Sequence, residues 1–190
     1  KDGSTMNWGN TIVSARWNYI FNNRLFSNTT VSYNNYLFDV NSYNNNKYAN
    51  SMGASIINRY SADYRSGIND WSYQIDFDYN PSPIHHIKFG TGYIYHRFRP
   101  EVMTSKISEK TGDKVDRDTT YHSIANSRIY GHELSAYLED NIKVNDRLRL
   151  NLGLHFSLFQ VQKQSYSSLQ PRVSARYQLG KDVTLKASYT

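Results

Sequence analysis

The sequence predicts an all-β protein, an antiparallel up-and-down transmembrane β-barrel segment of about eight strands belonging to a larger barrel. Three observations lead there. Apolar and polar residues alternate with period two over long stretches, several of these stretches exceed ten residues, and short polar turns alternate with long polar connections. Strands of soluble globular proteins usually have about five or six residues.

The first strand is expected at 11–21, where Val13, Ala15, Trp17, Tyr19 and Phe21 share a face opposite Arg16 and Asn18. The second, at 25–40, carries Leu25, Val31 and Tyr33. The third, at 66–79, contains the clearest pattern: Trp71, Tyr73, Ile75, Phe77 and Tyr79 alternate with Ser72, Gln74, Asp76 and Asp78. The fourth, at 86–98, has Ile87, Phe89, Tyr93 and Tyr95 on one face, and the fifth, at 132–143, has Leu134, Ala136 and Leu138. The sixth, at 147–160, sets Leu148, Leu150, Leu152, Leu154, Phe156 and Leu158 against Arg147, Arg149, Asn151, Gly153, His155 and Ser157. The seventh, at 167–179, sets Leu169, Val173, Ala175 and Tyr177 against Arg172, Ser174 and Arg176; the eighth, at 183–190, repeats the pattern with Val183, Leu185, Ala187 and Tyr189. Pro171 lies inside the seventh strand and points to a bulge or a local strand distortion there, because proline cannot donate to a ladder.

Short turns are expected at 22–24, 80–85, 144–146 and 180–182, each supplied with Asn, Asp, Gly or Pro. Long connections are expected at 41–65 and 100–130, the second holding the turn cluster TGDKVDRD, and a shorter polar one at 161–166.

Composition narrows the alternatives. The 190 residues contain no Cys, which excludes disulfides, thiolate metal sites and cysteine nucleophiles, and no apolar run exceeds three residues, which excludes a transmembrane helix. A net charge of +6 raises nucleic acid as a partner, but the basic residues are spread over alternating positions without a patch, so no nucleic-acid partner is expected. The polar faces fit a water-filled lumen, with Arg16, Asp76, Asp78, Lys88, Glu139, Arg149, Arg172 and Arg176 as lumen-facing residues. The opposite faces fit outer-membrane lipid, with Trp and Tyr toward the strand ends as at a membrane interface. A symmetric turn at 80–85 would pair Asp78 with Lys88 across the strands.

Short turns belong on the periplasmic side of such barrels. The first strand then descends and the last ascends, so residues 1–190 read as part of one β-barrel domain with both ends expected outside the cell or within the membrane.

The segments HELSAYLEDNIKVNDRLRLNLGLHFS and SYSSLQPRVSARYQL resemble the barrel of TonB-dependent outer-membrane receptors of the Bacteroidetes type. YIFNNRLFSNTTVSYNNY and YNPSPIHHIKFGTGYIYHRFRP are similar to earlier hairpins of such barrels. The resemblance implies a barrel of about 22 strands closed by a plug, the cell outer membrane as location, and import of a scarce ligand such as a siderophore, vitamin or glycan, driven through TonB. The plug and the TonB-contacting motif are not in this sequence, so the chain is expected to supply wall and loops only.

No chemistry on the ligand is expected, and no catalytic residue, cofactor or metal site is assigned. The six His are scattered, His-Glu occurs only as the dipeptide His132-Glu133, and GTGY at 90–93 opens no phosphate loop. Ligand contact is assigned to Tyr43, Tyr48, Tyr60 and Tyr64 in the extracellular loops, whose rings and neighbouring Asn residues suit stacking and hydrogen bonding to a small-molecule or glycan ligand. Two rivals stand beside the receptor: a soluble all-β ligand-binding module, and a barrel-borne hydrolase using Ser, His and carboxylate.

Overall fold

The computed structural model describes residues 1–49, 51–122, 128–180 and 182–190. Nine strands make one antiparallel sheet: β1 (Asp2–Asn22), β2 (Leu25–Ala49), β3 (Ser55–Tyr79), β4 (His85–Thr111), β5 (Lys114–His122), β6 (Ile129–Lys143), β7 (Leu148–Val161), β8 (Gln164–Gln178) and β9 (Thr184–Tyr189). Their order is β1-β2-β3-β4-β6-β7-β8-β9, with β5 paired to β4 off this path. Apart from β5, each strand follows its predecessor along the sheet, as in an up-and-down meander.

The chain divides into two compact units. The first comprises Lys1–Ile12, Asn34–Asn69 and Arg97–Ile129; the second comprises Val13–Tyr33, Asp70–His96 and Tyr130–Thr190.

Among the described residues no hydrophobic side chain is buried. Leu138 is 55% exposed, Leu154 46% and Leu169 62%, so the leucine rows are not packed against a second layer. A sandwich core would bury them. No helix among the described residues is long and apolar enough to cross a membrane.

The registers of β6 to β9 carry the faces from strand to strand. Leu138 pairs with Leu154 and that with Pro171, while Ile142 pairs with Leu150, Leu150 with Ala175, and Ala175 with Ala187. Apolar residues therefore meet apolar residues across four strands, as the period-two reading requires. The β7–β8 register runs through Pro171 without interruption, so no bulge forms there.

Three connections need correction. About eight strands were expected, and among the described residues there are nine, because the 100–130 connection contains the end of β4 and all of β5. These two strands pair as a hairpin from Thr104↔His122 to Thr111↔Lys114, turning at Gly112, whose φ is 61°. The 41–65 connection is likewise mostly strand, since β2 runs to Ala49 and β3 begins at Ser55. The 161–166 connection reduces to the two residues Gln162 and Lys163, with Gln162 at φ 53°. In each case absence of apolar alternation had been read as absence of a strand. A strand solvated on both faces needs only its backbone ladder, and its side chains carry no period-two signal. The turn expected at 180–182 and the loop through 123–127 lie partly outside the described residues.

Candidate functional site

In the second unit the polar face is built from in-register rows. Across β6, β7, β8 and β9 these run Lys143–Arg149–Arg176–Lys186, then Asn141–Asn151–Ser174–Ser188, then Glu139–Gly153–Arg172. The amides knit the middle rows together: Asn151 Nδ2 donates to Glu139 Oε1 at 2.6 Å and to Asn141 Oδ1 at 2.7 Å, and Asn141 Nδ2 donates to Glu139 at 3.0 Å.

On β3 and β4 the same face carries Asp76, Asp78 and His86. Tyr137 donates its hydroxyl to Asp76 at 2.8 Å, and His86 Nε2 lies 2.8 Å from Asp78 Oδ2. The partner expected for Asp78 was Lys88. Instead Ser82 Oγ accepts the amides of Ile84 and His85, folding the 80–84 connection so that His86 comes beside Asp78. Gly90 sits where β4 passes closest to this network: a Cβ there would meet the Ile75 carbonyl at 2.6 Å and the Tyr137 ring at 2.9 Å. Arg16 lies on the β1 face opposite Trp17, Tyr19 and Phe21, whose rings contact one another and reach Phe77 through Phe21. The registers put Glu139, Arg149, Arg172 and Arg176 on one face of β6 to β8, while Arg16, Asp76, Asp78 and Lys88 each lie opposite the aromatic residues of their own strand by alternation.

That opposite face is bracketed by polar groups. At one end His85 Nδ1 lies 2.7 Å from Asp140 Oδ2; at the other the Tyr93 hydroxyl lies 2.7 Å from His132 Nδ1, with Tyr95 stacked on Tyr130 at 6.1 Å. Eight residues separate the brackets on each strand, His85 to Tyr93 and His132 to Asp140. At about 3.3 Å per residue and a tilt of about 40° this is roughly 20 Å of height, close to the apolar band of about 25 Å in outer-membrane barrels. The His-Asp and Tyr-His pairs were not found by sequence reading, which saw scattered histidines; only the register brings each to its partner.

A cavity of about 1030 Å³ opens beside the short turns of this unit, lined by Arg24, His85, His86, Lys88, Lys143 and Arg149 among others. The Lys143 ammonium lies 2.7 Å from Asp146 in the exposed turn and holds that carboxyl below the usual carboxylate range. Further along the polar face, His96 has Nδ1 2.8 Å from Asp70 and Nε2 3.6 Å from Glu133. Among the described residues no group of three or more His, Asp and Glu is placed to hold a metal ion.

In the first unit the four tyrosines assigned to ligand contact lie on strands, not in loops: Tyr43 and Tyr48 on β2, Tyr60 and Tyr64 on β3. The reason is the one given for the missed strands: an Asn-, Ser- and Tyr-rich stretch pairs through its backbone while both faces stay solvated. Asn58 donates to the Tyr48 hydroxyl at 3.2 Å, and Tyr64 meets Phe38 edge-on at 5.9 Å. By strand alternation Tyr48, Tyr60 and Tyr64 share a face. Tyr43 is on the other and covers Gly3, where an added Cβ would lie 2.6 Å from its ring. That other face also carries the Arg65–Asp39 ion pair at 2.6 Å and the bonds from Arg97 to Asn69 and from Asn69 to Asn35.

Comparison with known proteins agrees with this architecture. The family model for the TonB dependent receptor-like β-barrel matches residues 1–190. Among solved structures, the chain is similar to BauA, the ferric preacinetobactin receptor of Acinetobacter baumannii, with a TM-score of 0.61 and 11% identity over 97% of this chain and 30% of that one. It is similar to the RagAB peptide importer with a TM-score of 0.58 and 11% identity, over 93% of this chain and 20% of that one. It is also similar to Fiu, the ferric-catecholate import receptor of E. coli K12, with a TM-score of 0.54 and 10% identity over 97% of this chain and 32% of that one. The chain therefore spans about a third or less of the length of the structures it matches. No curated protein matches it. With matched faces running across four strands, no apolar core among the described residues and a family match along its whole length, the chain belongs to the TonB dependent receptor-like β-barrel family, whose members lie in the outer membrane.

Proposed function

We propose that this chain forms part of the wall of an outer-membrane importer of the Bacteroidetes type that takes up a scarce ligand (siderophore, vitamin or glycan) through a plug acted on by TonB. The polar face lines a water-filled lumen and faces the plug, the apolar face contacts lipid, and residues 1–190 are part of one barrel domain whose remaining strands pair with β1 and β9. The observation that supports this best is the in-register separation of faces across β6 to β9, where Leu meets Leu on one side and Arg, Asn and Ser meet one another on the other. A lumen hydrates such a polar row and hydrocarbon accepts the leucines, whereas water on both sides leaves a broad apolar face uncovered.

Ligand contact falls to Tyr48, Tyr60 and Tyr64. Their segments continue the strands away from the short turns, and ring faces beside amides such as Asn58 suit a sugar or a flat chelate. BauA and Fiu are receptors for ferric chelates and RagAB imports peptide, which supports import as the task while leaving these ligand classes open.

The test is uptake by cells expressing the full-length receptor, screened with ferric chelates, cobalamin and oligosaccharides. Uptake of one class that stops when the proton-motive force is collapsed is the expected result. Uptake indifferent to that force overturns the reading.

A further inference from the structure

The row Lys143–Arg149–Arg176–Lys186 places four cations side by side on adjacent strands, each the direct register partner of the next. Like charges directly opposite destabilise a sheet, their Cβ atoms lying only about 4.5–5.5 Å apart. Within the second unit the only described ion pair to any of the four is that of Lys143 with Asp146, at the outer end of the row. Glu139, two residues along β6 from Lys143, is instead held by the amides of Asn141 and Asn151. Arg149, Arg176 and Lys186 line a cavity of about 320 Å³ together with Asn151, Ser174 and Ser188, so a row of neutral donors runs beside the row of charges.

We propose that this row is the docking surface for an acidic polypeptide segment lying across strands β6 to β9 on the polar face. The inference rests on that face being the lumen, and it names the charge of what packs there. Breadth decides against a free oxyanion. Three strand spacings of about 4.8 Å make a row of roughly 14 Å, whereas one phosphate or carboxylate answers a single pair. A segment carrying at least two carboxylates, spaced to meet Arg149–Arg176 and Lys186, removes the like-charge repulsion along the row, with the serine hydroxyls and Asn side chains as additional donors.

The experiment uses full-length receptor in the outer membrane, with Ser174→Cys carrying a cleavable thiol-linked benzophenone, and captured peptides identified by mass spectrometry. The expected capture is a polypeptide stretch containing at least two Asp or Glu. It falls about tenfold with Arg149→Glu plus Arg176→Glu, less with the Arg149→Gln plus Arg176→Gln pair, and it falls as salt is raised. Capture of a stretch without acidic residues, no capture, or capture unchanged in both pairs of variants overturns the proposal. The same probe at Leu152→Cys distinguishes the two readings. Lipid alone captured at Leu152 with no acidic peptide at Ser174 defeats the docking but keeps the lumen; peptide at Leu152 and lipid at Ser174 defeats the lumen assignment itself.

Discussion

At the scale of single residues, tight backbone approach is the feature most open to test. Gly90 faces the Ile75 carbonyl and the Tyr137 ring at distances no Cβ tolerates, and neither neighbour can swing aside freely. Gly92, two residues on, would press mainly on the Ser135 hydroxyl at 2.9 Å, which can rotate away. Gly90→Ala is therefore expected to lower barrel stability by about 1–3 kcal/mol and Gly92→Ala by clearly less. Urea unfolding of each full-length variant in detergent checks this, and equal midpoints would contradict the crowding assigned to Gly90. The two glycines of GTGY differ in what they face, and that difference becomes visible only with the neighbouring strands in place.

At the scale of elements, β7 carries the sharpest contrast. Leu152 pairs with Asp140 and Val173 on the apolar face, while Arg149 pairs with Lys143 and Arg176 on the polar one. Leu152→Arg is expected to destabilise by about 2–4 kcal/mol, as a cation facing the middle of the bilayer does. Arg149→Leu should change stability much less, because it also removes one member of a like-charge row. Unfolding of both variants in lipid bilayers measures the difference, and similar effects would reverse the facing. β7 was fully legible in the sequence because hydrocarbon on one side and water on the other force strict alternation. β5 was not, because all of Lys114–His122 is solvated and its Thr, Asp and Arg side chains face no contrast. The TGDKVDRD cluster did mark the turn at Gly112 that joins it to β4.

At the scale of the molecule, the rows of Leu138, Leu154, Leu169 and Val173 form an exposed apolar face that nothing among the described residues covers. The full-length protein is expected to aggregate when detergent is withdrawn and to remain dispersed when it is present, as light scattering would show. A monomer stable at high concentration without detergent would be incompatible with these faces meeting lipid. The sequence by itself determined the β class, the period-two separation of apolar from polar residues and the resemblance to a receptor barrel, since alternation is written into every second residue. It did not determine the lengths of β2 to β5, the split of the four tyrosines between two faces, the His85–Asp140 and Tyr93–His132 brackets, or the alignment of four cations in one row. Those depend on register and on backbone pairing between distant segments, and hydrogen bonds between main-chain groups leave no trace in the order of side chains.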